Sequence, residues 1–580
     1  MKKSNTLLFL ASQRRRLRSS ETALIGLAVL VGLCAGLMTL ALAGAAHLLQ
    51  NILYGVGIDR LSALSSISPA RLLALPIGGG LLAALGYFVR ARTRAPVDVV
   101  EANALHGGVI PIKDSLLVSA QTLLSNGAGA SVGLEAAYAQ MGGGVASVMG
   151  QWLRLRRNDL RVLVGAGAGA AVGAAFGAPL TGAFYAFEIV IGAYTPAAIA
   201  PVAAACLTAA VTIRASGMPA YLIALPSAHA ITTLDYFLYA ALGLVCAVLG
   251  IALMRAVTTI ELWVRQSSIP DLVRPVLGGF LLIPIAWISP QALSAGHGAL
   301  HLDLTEQVTL GFLVTIFLLK MAASAVSLGF GFRGGLFFAS LFLGSLAGQI
   351  YAALISLVPG APSVDPTDAA LVGMAAMAVA VVGGPMTMSL LVLEATHDFA
   401  LTGTAITAAL CASALAREKF GFSFSTWRLH TRGETIRSAR DIGWVRTLTA
   451  GRMMRREPPT ADDWITISEF RRRFPLGSVS RVVLTNREGA YAGLVQTPAA
   501  YTVTDDLDSP IRTLATLTDS ALRPEEDVAH VMTMFEELEA DDLAVLDDSG
   551  RVLGTVSEKY VRRRYSGEIE KALKDIYGEG

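Results

Sequence analysis

The stretch Gly133-Leu134-Glu135-Ala136-Ala137 lies inside the run SNGAGASVGLEAAYAQMGGGVAS, residues 125–147. It places a single carboxylate among small and apolar residues. The later run Gly334-Gly335-Leu336-Phe337-Phe338-Ala339-Ser340 repeats this glycine-rich build without the charge. The two stretches are therefore candidates for one paired site.

Each half of the chain continues into a second related segment. Ala178-Pro179-Leu180-Thr181-Gly182 runs on to Glu188, and Gly384-Pro385-Met386-Thr387-Met388 runs on to Glu394. The prolines, threonines and glutamates of the two segments pair at one common offset, and Gly133 pairs with Gly335 at nearly the same offset. Matching apolar segments interrupted by Gly and Pro in two halves indicate the central site of a transporter.

The composition indicates a membrane protein that spans the bilayer several times. The chain is 53% hydrophobic and 16% charged, with a mean hydropathy of +0.56, whereas soluble domains carry about 25% charged residues. Charged residues are sparse from about 20 to 415 and dense from Arg417 onward. The contrast predicts a large membrane domain followed by a soluble one. The net charge of +2 averages two unlike regions and indicates little.

The first apolar run, about 22–49, is long enough to cross a membrane and too long for a signal-peptide core. Arg14, Arg15, Arg16 and Arg18 precede it and favour a cytoplasmic N-terminus. Further apolar runs are expected near 71–90, 115–150, 162–194, 197–213, 236–257, 273–290, 308–328, 335–358, 369–394 and 403–416. Several are short or broken, as expected where backbone lines a polar pathway.

The soluble tail reads as two units of similar α+β build. The first begins with TAGRMM and continues through a helical ISEFRRRF to a strand pair, and the second repeats helix and hairpin around DDLAVLDDSGRVLGTVSEKYV. The predicted organisation is an N-terminal segment 1–21, a transmembrane domain 22–425, a linker 426–446, units 447–502 and 508–566, and a tail 567–580.

Two patterns that suggest an enzyme or a metal site lack the required context. Gly129–Gly133 matches the hydrolase pattern G-x-S-x-G, which needs a strand before it in a soluble α/β sheet. His297 and His301 have the spacing of metal ligands on a helix, but the adjacent composition predicts a connecting loop. The four cysteines lie in apolar stretches without metal-type spacing. We therefore predict neither an enzyme nor a metal site.

The order of these segments resembles the CLC family of chloride channels and anion/proton antiporters, over roughly residues 25–425. The matching motifs are Gly133–Ala137 at the family's gating-glutamate stretch, Gly142-Gly143-Gly144, Ala178–Gly182, Leu319-Lys320 with Gly334–Ala339, and Pro385-Met386-Thr387 with Glu394-Ala395-Thr396. The tail resembles paired cystathionine-β-synthase-type (CBS) domains. The resemblance implies an all-α membrane domain of two inverted repeats with tilted and half-spanning helices, an α+β CBS pair, and a homodimer with one pore per subunit.

The same comparison assigns roles to particular residues. It implies that Glu135 is the gate, and that anions bind near Gly133, Leu134, Gly335, Leu336, Phe337 and Phe338. Glycines there let an ion approach the unpaired N–H groups at helix N-termini. Protonation would swing Glu135 out of an anion site. For Lys320, partnering a carboxylate or snorkelling is favoured over direct anion contact.

Several family positions differ here. Val97 stands where the family has an anion-binding serine, and Phe424 where it has an anion-binding tyrosine, so the resemblance implies that both are anion-binding positions by their place alone. Ile189 stands at the proton-transfer glutamate of the antiporters, next to Glu188. For Glu188 and Glu394, helix-end hydrogen bonds between the repeats are the favoured interpretation. In the tail, Tyr560 replaces an aspartate associated with nucleotide binding.

The predicted function is transport of chloride or a similar small anion through a glutamate-gated pathway. A voltage- or pH-gated channel is favoured because of Ile189. An anion/proton antiporter is one alternative, and a transporter of bicarbonate or nitrate is another. The expected partners are the anion, a bacterial inner membrane and a second copy of the chain, with both termini cytoplasmic and no nucleic acid. No cofactor is predicted, with an adenine nucleotide at the CBS pair left open.

Overall fold

The computed structural model of the chain describes residues 21–57, 60–89, 96–217, 231–305, 308–430 and 448–565. The chain divides into two compact units, Met1–Asp441 and Ile442–Gly580. The N-terminal arginines, most of the predicted linker and the tail 567–580 lie outside the described residues.

The first unit is helical throughout its described part. Its first half contains α1 Glu21–Tyr54, α2 Pro69–Leu72, α3 Ala74–Val89, α4 Val99–Leu105, α5 Ile112–Gly127, α6 Glu135–Trp152, α7 Arg157–Phe176, α8 Pro179–Tyr185, a π-helical turn Ala186–Ile191 and α9 Pro196–Ala215. Its second half contains α10 Thr233–Gln266, α11 Arg274–Ile288, α12 His297–Thr305, α13 Leu310–Gly329, α14 Phe337–Ser356, α15 Pro366–Val382, α16 Pro385–Thr396, α17 Phe399–Lys419 and α18 Phe424–His430. Short 3₁₀ turns lie at Leu61–Ala63 and Pro290–Ala292.

Three of the longer apolar runs are broken into separate helices. The run 115–150 holds α5 and α6, the run 162–194 holds α7, α8 and the π-helical turn, and the run 369–394 holds α15 and α16. Gly177 ends α7 with a φ of 68°, which favours glycine, and Pro179 then starts α8 at the position where a missing N–H costs least. These breaks place helix ends inside the unit.

Eight helices among the described residues are long and apolar enough to cross a membrane. Their outward faces carry large exposed apolar side chains, among them Leu37, Leu48, Phe237 and Trp263. Apolar surface on this scale is costly in water and suits the hydrocarbon core of a bilayer. The unit therefore has the features of a multi-pass membrane domain.

Helix pairs at matching places in the two halves pack through glycines. Gly142 of α6 faces Gly167 of α7 so closely that a Cβ on either would overlap the other's carbonyl oxygen. Gly344 of α14 and Gly373 of α15 repeat this relationship. Small residues allow this approach of helix backbones in membranes. The repetition supports the division of the unit into two repeats.

The second unit is α+β, with two three-stranded sheets. Its elements are α19 Ala450–Met453, β1 Arg455–Arg456, β2 Thr460–Asp462, α20 Ile467–Arg473, β3 Arg481–Thr485, β4 Tyr491–Gln496, α21 Thr497–Thr502, a 3₁₀ turn Ile511–Leu514, α22 Val528–Leu538, β5 Asp542–Leu546 and β6 Val552–Ser557. One sheet has the order β2-β3-β4, with β2 and β3 parallel, and the other has the order β1-β6-β5 and is antiparallel.

The boundaries predicted for the two tail units differ from the two cores. The segment 448–456 was assigned to the first unit, but β1 pairs with β6, and Leu448, Ala450 and Met453 pack in the core of the second. Ile511 was assigned to the second unit but packs in the first core. The second core thus includes a segment that precedes the first unit in sequence, and the first core includes a residue that follows the predicted boundary between the units. The boundary predicted at 425/426 is also wrong, because it falls inside α18.

Candidate functional site

Two helix N-termini from the two repeats meet at a short backbone bridge. The Gly133 N–H donates to the Gly335 carbonyl at 2.9 Å, and the Gly335 N–H returns a bond at 3.4 Å. Leu134 is the N-cap position of α6, which begins at Glu135. Leu336 is the N-cap position of α14, which begins at Phe337. The two stretches singled out by sequence are thus in direct contact.

Reciprocal serine contacts hold the two loops before these helices. Ser125 of α5 accepts a hydrogen bond from the Arg333 N–H at 2.9 Å. Ser327 of α13 accepts one from the Ser131 N–H, also at 2.9 Å. Each repeat therefore fixes the loop of the other, and the position of both helix starts is set jointly. Ser131, the serine of the hydrolase-like pattern, is fully buried in this contact and lies 3.0 Å from the Ser324 hydroxyl.

Glu135 is buried at the first position of α6, with 3% of its surface exposed. Its carboxylate interacts with the backbone N–H groups of Glu135 itself and of Phe338 on the facing helix. No described residue forms a hydrogen bond with its Oε2 atom. A Cβ at Gly133 would occupy the place of this carboxylate. Glycine at 133 therefore provides the space in which the carboxylate lies.

Aromatic rings surround the start of α14. The Phe176 ring lies 5.3 Å from that of Phe337 and 6.1 Å from that of Phe338, measured between centroids. The His297 ring lies 3.6 Å from that of Phe338. His297 begins helix α12, so the prediction of a loop at His297 and His301 is wrong. Phe337 and Phe338, both below 5% exposed, present backbone N–H groups in an apolar setting.

Lys320 of α13 is fully buried, so the snorkelling considered for it does not occur. Its Nζ atom donates to the carbonyls of Ser294, at 2.8 Å, and of Ala292, at 3.3 Å. It also interacts electrostatically with Glu135. The cation is held by backbone dipoles and contributes positive potential near the carboxylate.

Glu188 and Glu394 cap helices of the opposite repeat. Glu188 accepts from the Met386 N–H at 3.2 Å, and from the Thr387 N–H and hydroxyl at 2.9 and 2.7 Å. Glu394 accepts from the Leu180 N–H and from the Thr181 N–H and hydroxyl, at 2.8, 2.8 and 2.7 Å. The helix-end hydrogen bonds expected between the repeats are present, and they occupy both oxygens of each carboxylate.

The remaining predicted site residues lie in separate elements. Val97 is 3% exposed, and its carbonyl accepts from Gln140 at 3.1 Å. Phe424 begins α18 and is 6% exposed. Ile189 lies in the π-helical turn, with its Cδ1 atom next to Gly384. None of these three side chains offers a polar group, and an anion-binding role for Val97 and Phe424 stays a prediction.

Two cavities without a shared lining residue approach this region. The first, about 300 Å³, reaches Leu134 and is lined by polar groups that include Gln50, Asn126 and His297. The second, about 430 Å³, is lined by Val100, Phe187, Glu188 and Ile189 together with residues of the loop before α18. One cavity thus reaches Leu134, the residue before Glu135, and the other reaches Val100, Glu188 and Ile189.

Comparison with known proteins fixes the family. The model of the voltage-gated chloride channel (CLC) family matches residues 79–417, more than half of the chain. The chain belongs to the CLC family. As a CLC protein it is a multi-pass membrane protein of a family of chloride channels and transporters, and its function is anion transport.

Curated relatives cover most of the membrane domain of this CLC protein. A putative ClcB-like chloride channel protein from Ralstonia nicotianae is 28% identical over 384 residues, which are 65% of this chain and 89% of that protein. The voltage-gated ClC-type chloride channel ClcB of Citrobacter koseri is 28% identical over 363 residues, 61% of this chain and 86% of its own length.

Solved structures share the CLC fold. A slow cyanobacterial Cl⁻/H⁺ antiporter superposes with a TM-score of 0.60 at 24% identity, covering 70% of this chain and 97% of that one. A CLC-type fluoride/proton antiporter gives 0.58 at 20% identity, covering 68% and 96%. A eukaryotic CLC transporter gives 0.58 at 18% identity and covers 95% of this chain. At these identities the likeness concerns the fold alone.

Proposed function

We propose that the membrane domain conducts chloride or a similar small anion through a pathway gated by Glu135, as a channel rather than a proton-coupled exchanger. The observation that carries this proposal is the position of Glu135. Its carboxylate is buried where two helix N-termini converge, and one of its oxygens is unbonded among the described residues.

The gate follows from charge and geometry. A helix N-terminus carries about half a positive charge and unpaired N–H groups, so it attracts an anion without trapping it as a full cation would. The Glu135 carboxylate takes the place of such an anion near Phe338. When protonated, the Glu135 side chain loses its charge. It then no longer competes with a free anion for the site at the helix N-termini. Anion flux is therefore expected to rise as the pH falls.

The preference for a channel rests on Glu188 and Ile189. Both oxygens of Glu188 accept hydrogen bonds from α16, which makes this carboxylate a helix cap rather than a proton carrier. Ile189 has no titratable group. Among the described residues that line the second cavity, Glu188 is the one carboxylate, and both of its oxygens already accept hydrogen bonds. The curated relatives are named as chloride channels.

Reversal potentials separate the two mechanisms. The full-length protein would be placed in liposomes with a fixed chloride gradient, and a proton gradient would then be added. A channel gives a reversal potential set by chloride alone. A reversal potential that moves with the proton gradient would show coupled exchange and would overturn the channel assignment. Bicarbonate and nitrate in place of chloride test the anion preference in the same assay.

We infer that the tail is a CBS pair that stabilises a homodimer rather than a nucleotide sensor. Its cavity of about 220 Å³ is lined by Arg481, Glu539, Asp541 and Asp542. Arg481 pairs with Asp541, and with Asp542 at 2.6 Å. Three carboxylates line this cavity, and its arginine is already paired. The cavity therefore repels the phosphate groups of a nucleotide. Adding adenosine triphosphate should leave the melting temperature unchanged, and an increase of several degrees would contradict this.

We also propose residence in a bacterial inner membrane as a homodimer with both termini cytoplasmic. The ClcB relatives come from bacteria, and the basic N-terminal segment supports the orientation. Cysteines introduced near each terminus of the protein should not be labelled by a membrane-impermeant thiol reagent in intact cells. They should become labelled once the cells are opened. Cross-linking in membranes should give a dimer and no larger species.

A further inference from the structure

Tyr185 is a buried tyrosine whose hydroxyl is bonded to no described residue. It ends α8, and 8% of its surface is exposed. In the same unit the hydroxyl of the buried Tyr54 donates to the Ala128 carbonyl at 2.6 Å, and that of the partly buried Tyr351 donates to the Leu238 carbonyl at 2.8 Å. Buried tyrosine hydroxyls usually have such a partner. The Tyr185 hydroxyl is therefore available to a group that the chain does not supply.

The surroundings of Tyr185 place its ring beside the start of α14. Its ring lies 6.1 Å from that of Phe337, the first residue of α14. It interacts electrostatically with two carboxylates, Glu135 of the gate and Asp98. Asp98 caps α4 through a bond from the Glu101 N–H at 2.8 Å. Tyr185 thus lies among the starts of α4, α6 and α14.

The groups around Tyr185 are close in sequence to residues that line the two cavities. Glu135 follows Leu134, which lines the first cavity. Asp98 precedes Val100 by two residues, and Phe187 follows Tyr185 by two residues. Val100 and Phe187 both line the second cavity. Tyr185 is therefore within a few residues of the lining of the second cavity, and the gate that it interacts with adjoins the lining of the first.

We propose that the Tyr185 hydroxyl donates a hydrogen bond to the transported anion near the start of α14, and so favours small anions of high charge density such as chloride. This inference rests on the proposed function of anion conduction. Val97 and Phe424 offer no hydroxyl, so α8 supplies the donor from a different direction. Hydrogen bonds to a charged acceptor strengthen with the charge on that acceptor. Loss of the donor should therefore affect chloride more than thiocyanate, whose charge is spread over three atoms.

The test compares Tyr185→Phe with Tyr54→Phe in the purified full-length protein. Each change removes one buried hydroxyl, but the Tyr54 hydroxyl is already bonded to Ala128. Calorimetric titration with sodium chloride and with sodium thiocyanate gives the two affinities, and liposome flux gives the two rates. Tyr185→Phe should weaken chloride binding about tenfold and thiocyanate binding less than twofold. Tyr54→Phe should leave both affinities unchanged and lower the melting temperature.

Two results would overturn the inference. One is an unchanged chloride affinity in Tyr185→Phe. The other is an equal loss for both anions together with a lower melting temperature, since that pattern indicates a structural role. Failure of the proposed function is distinguishable, because the wild-type protein itself would then show no chloride flux.

Discussion

Gly133 and Gly335 form a two-residue backbone bridge between the repeats, and it brings the starts of α6 and α14 together. The two glycines differ in their surroundings. A Cβ at Gly133 would overlap the Glu135 carboxylate, whereas a Cβ at Gly335 would lie 3.8 Å from its nearest neighbours, which is ordinary contact. One member of the pair therefore provides space for the gate, and the other does not.

This difference predicts opposite effects of alanine at the two positions. Gly133→Ala should displace the Glu135 carboxylate and raise chloride flux several-fold at high pH, where the wild type is closed. Gly335→Ala is the matched control and should keep the wild-type pH dependence. Liposome flux at several pH values measures both. Equal behaviour of the two variants would show that Gly133 does not provide space for the gate.

Glu394→Ala should destabilise the membrane domain. The change removes the acceptor for the Leu180 N–H and for the Thr181 N–H and hydroxyl, and Thr181 is fully buried. Leaving these donors unpaired should cost about 2 kcal/mol and lower the melting temperature in detergent by several degrees. Glu418→Ala, at the exposed end of α17, is the control. Equal melting temperatures of the two variants would contradict the capping role.

The glycine pairs between α6 and α7 and between α14 and α15 predict a second stability effect. Gly142→Ala and Gly344→Ala place a methyl group against the carbonyls of Gly167 and Gly373. Since these atoms are backbone, the helices must separate, and the yield of folded protein should fall sharply. Gly44→Ala, where a Cβ meets nothing within 4 Å, should be harmless. Gel filtration of each variant after extraction provides the comparison.

The turn between β5 and β6 predicts a pH effect in the tail. Asp547 accepts from the Ser549 hydroxyl at 2.6 Å and from the Arg551 N–H at 2.9 Å, and these bonds hold its pKa below the usual value. A lowered pKa means that its stabilising effect is present at neutral pH and is lost as the pH falls below about 4, the usual aspartate pKa. Asp547→Ala should increase hydrogen exchange across the β5–β6 hairpin at neutral pH.

Two further variants test whether this effect belongs to Asp547. Asp548→Ala changes the neighbouring carboxylate and should leave exchange unaltered. Asp547→Asn keeps a side-chain oxygen as acceptor and should show a weaker pH dependence than the wild type. The same acid-induced loosening in wild type and Asp547→Asn would assign the effect to another group.

The repeated helix starts of the membrane domain could be predicted because each is encoded by a short stretch of sequence. The common offset of Pro179 and Pro385 reflects the repeated helix starts α8 and α16, and the glutamates beyond them cap these starts reciprocally. The positions of the breaks inside long apolar runs were harder to predict, because a glycine within a helix and one at its end look alike in sequence. Gly177 shows its role only through its positive φ.

Contacts distant in sequence could not be predicted in the same way. β1 pairs with β6 because Met453, just before β1, packs in the second core of the tail. The two units have similar sequence patterns, so the sequence does not indicate which core Met453 joins. Tyr185 was also missed, because one tyrosine in an apolar helix has no motif. That its hydroxyl is bonded to no described residue, and that its ring lies beside Phe337, is evident only from the structure.

Chloride flux as a function of pH, in wild type and Glu135→Gln, tests the central claim most directly. Glutamine keeps the size of the side chain but carries no charge at any pH. In the wild type, flux should rise as the pH falls, whereas Glu135→Gln should conduct at a high rate that does not change with pH. A Glu135→Gln protein that retains the wild-type pH dependence would contradict gating by Glu135.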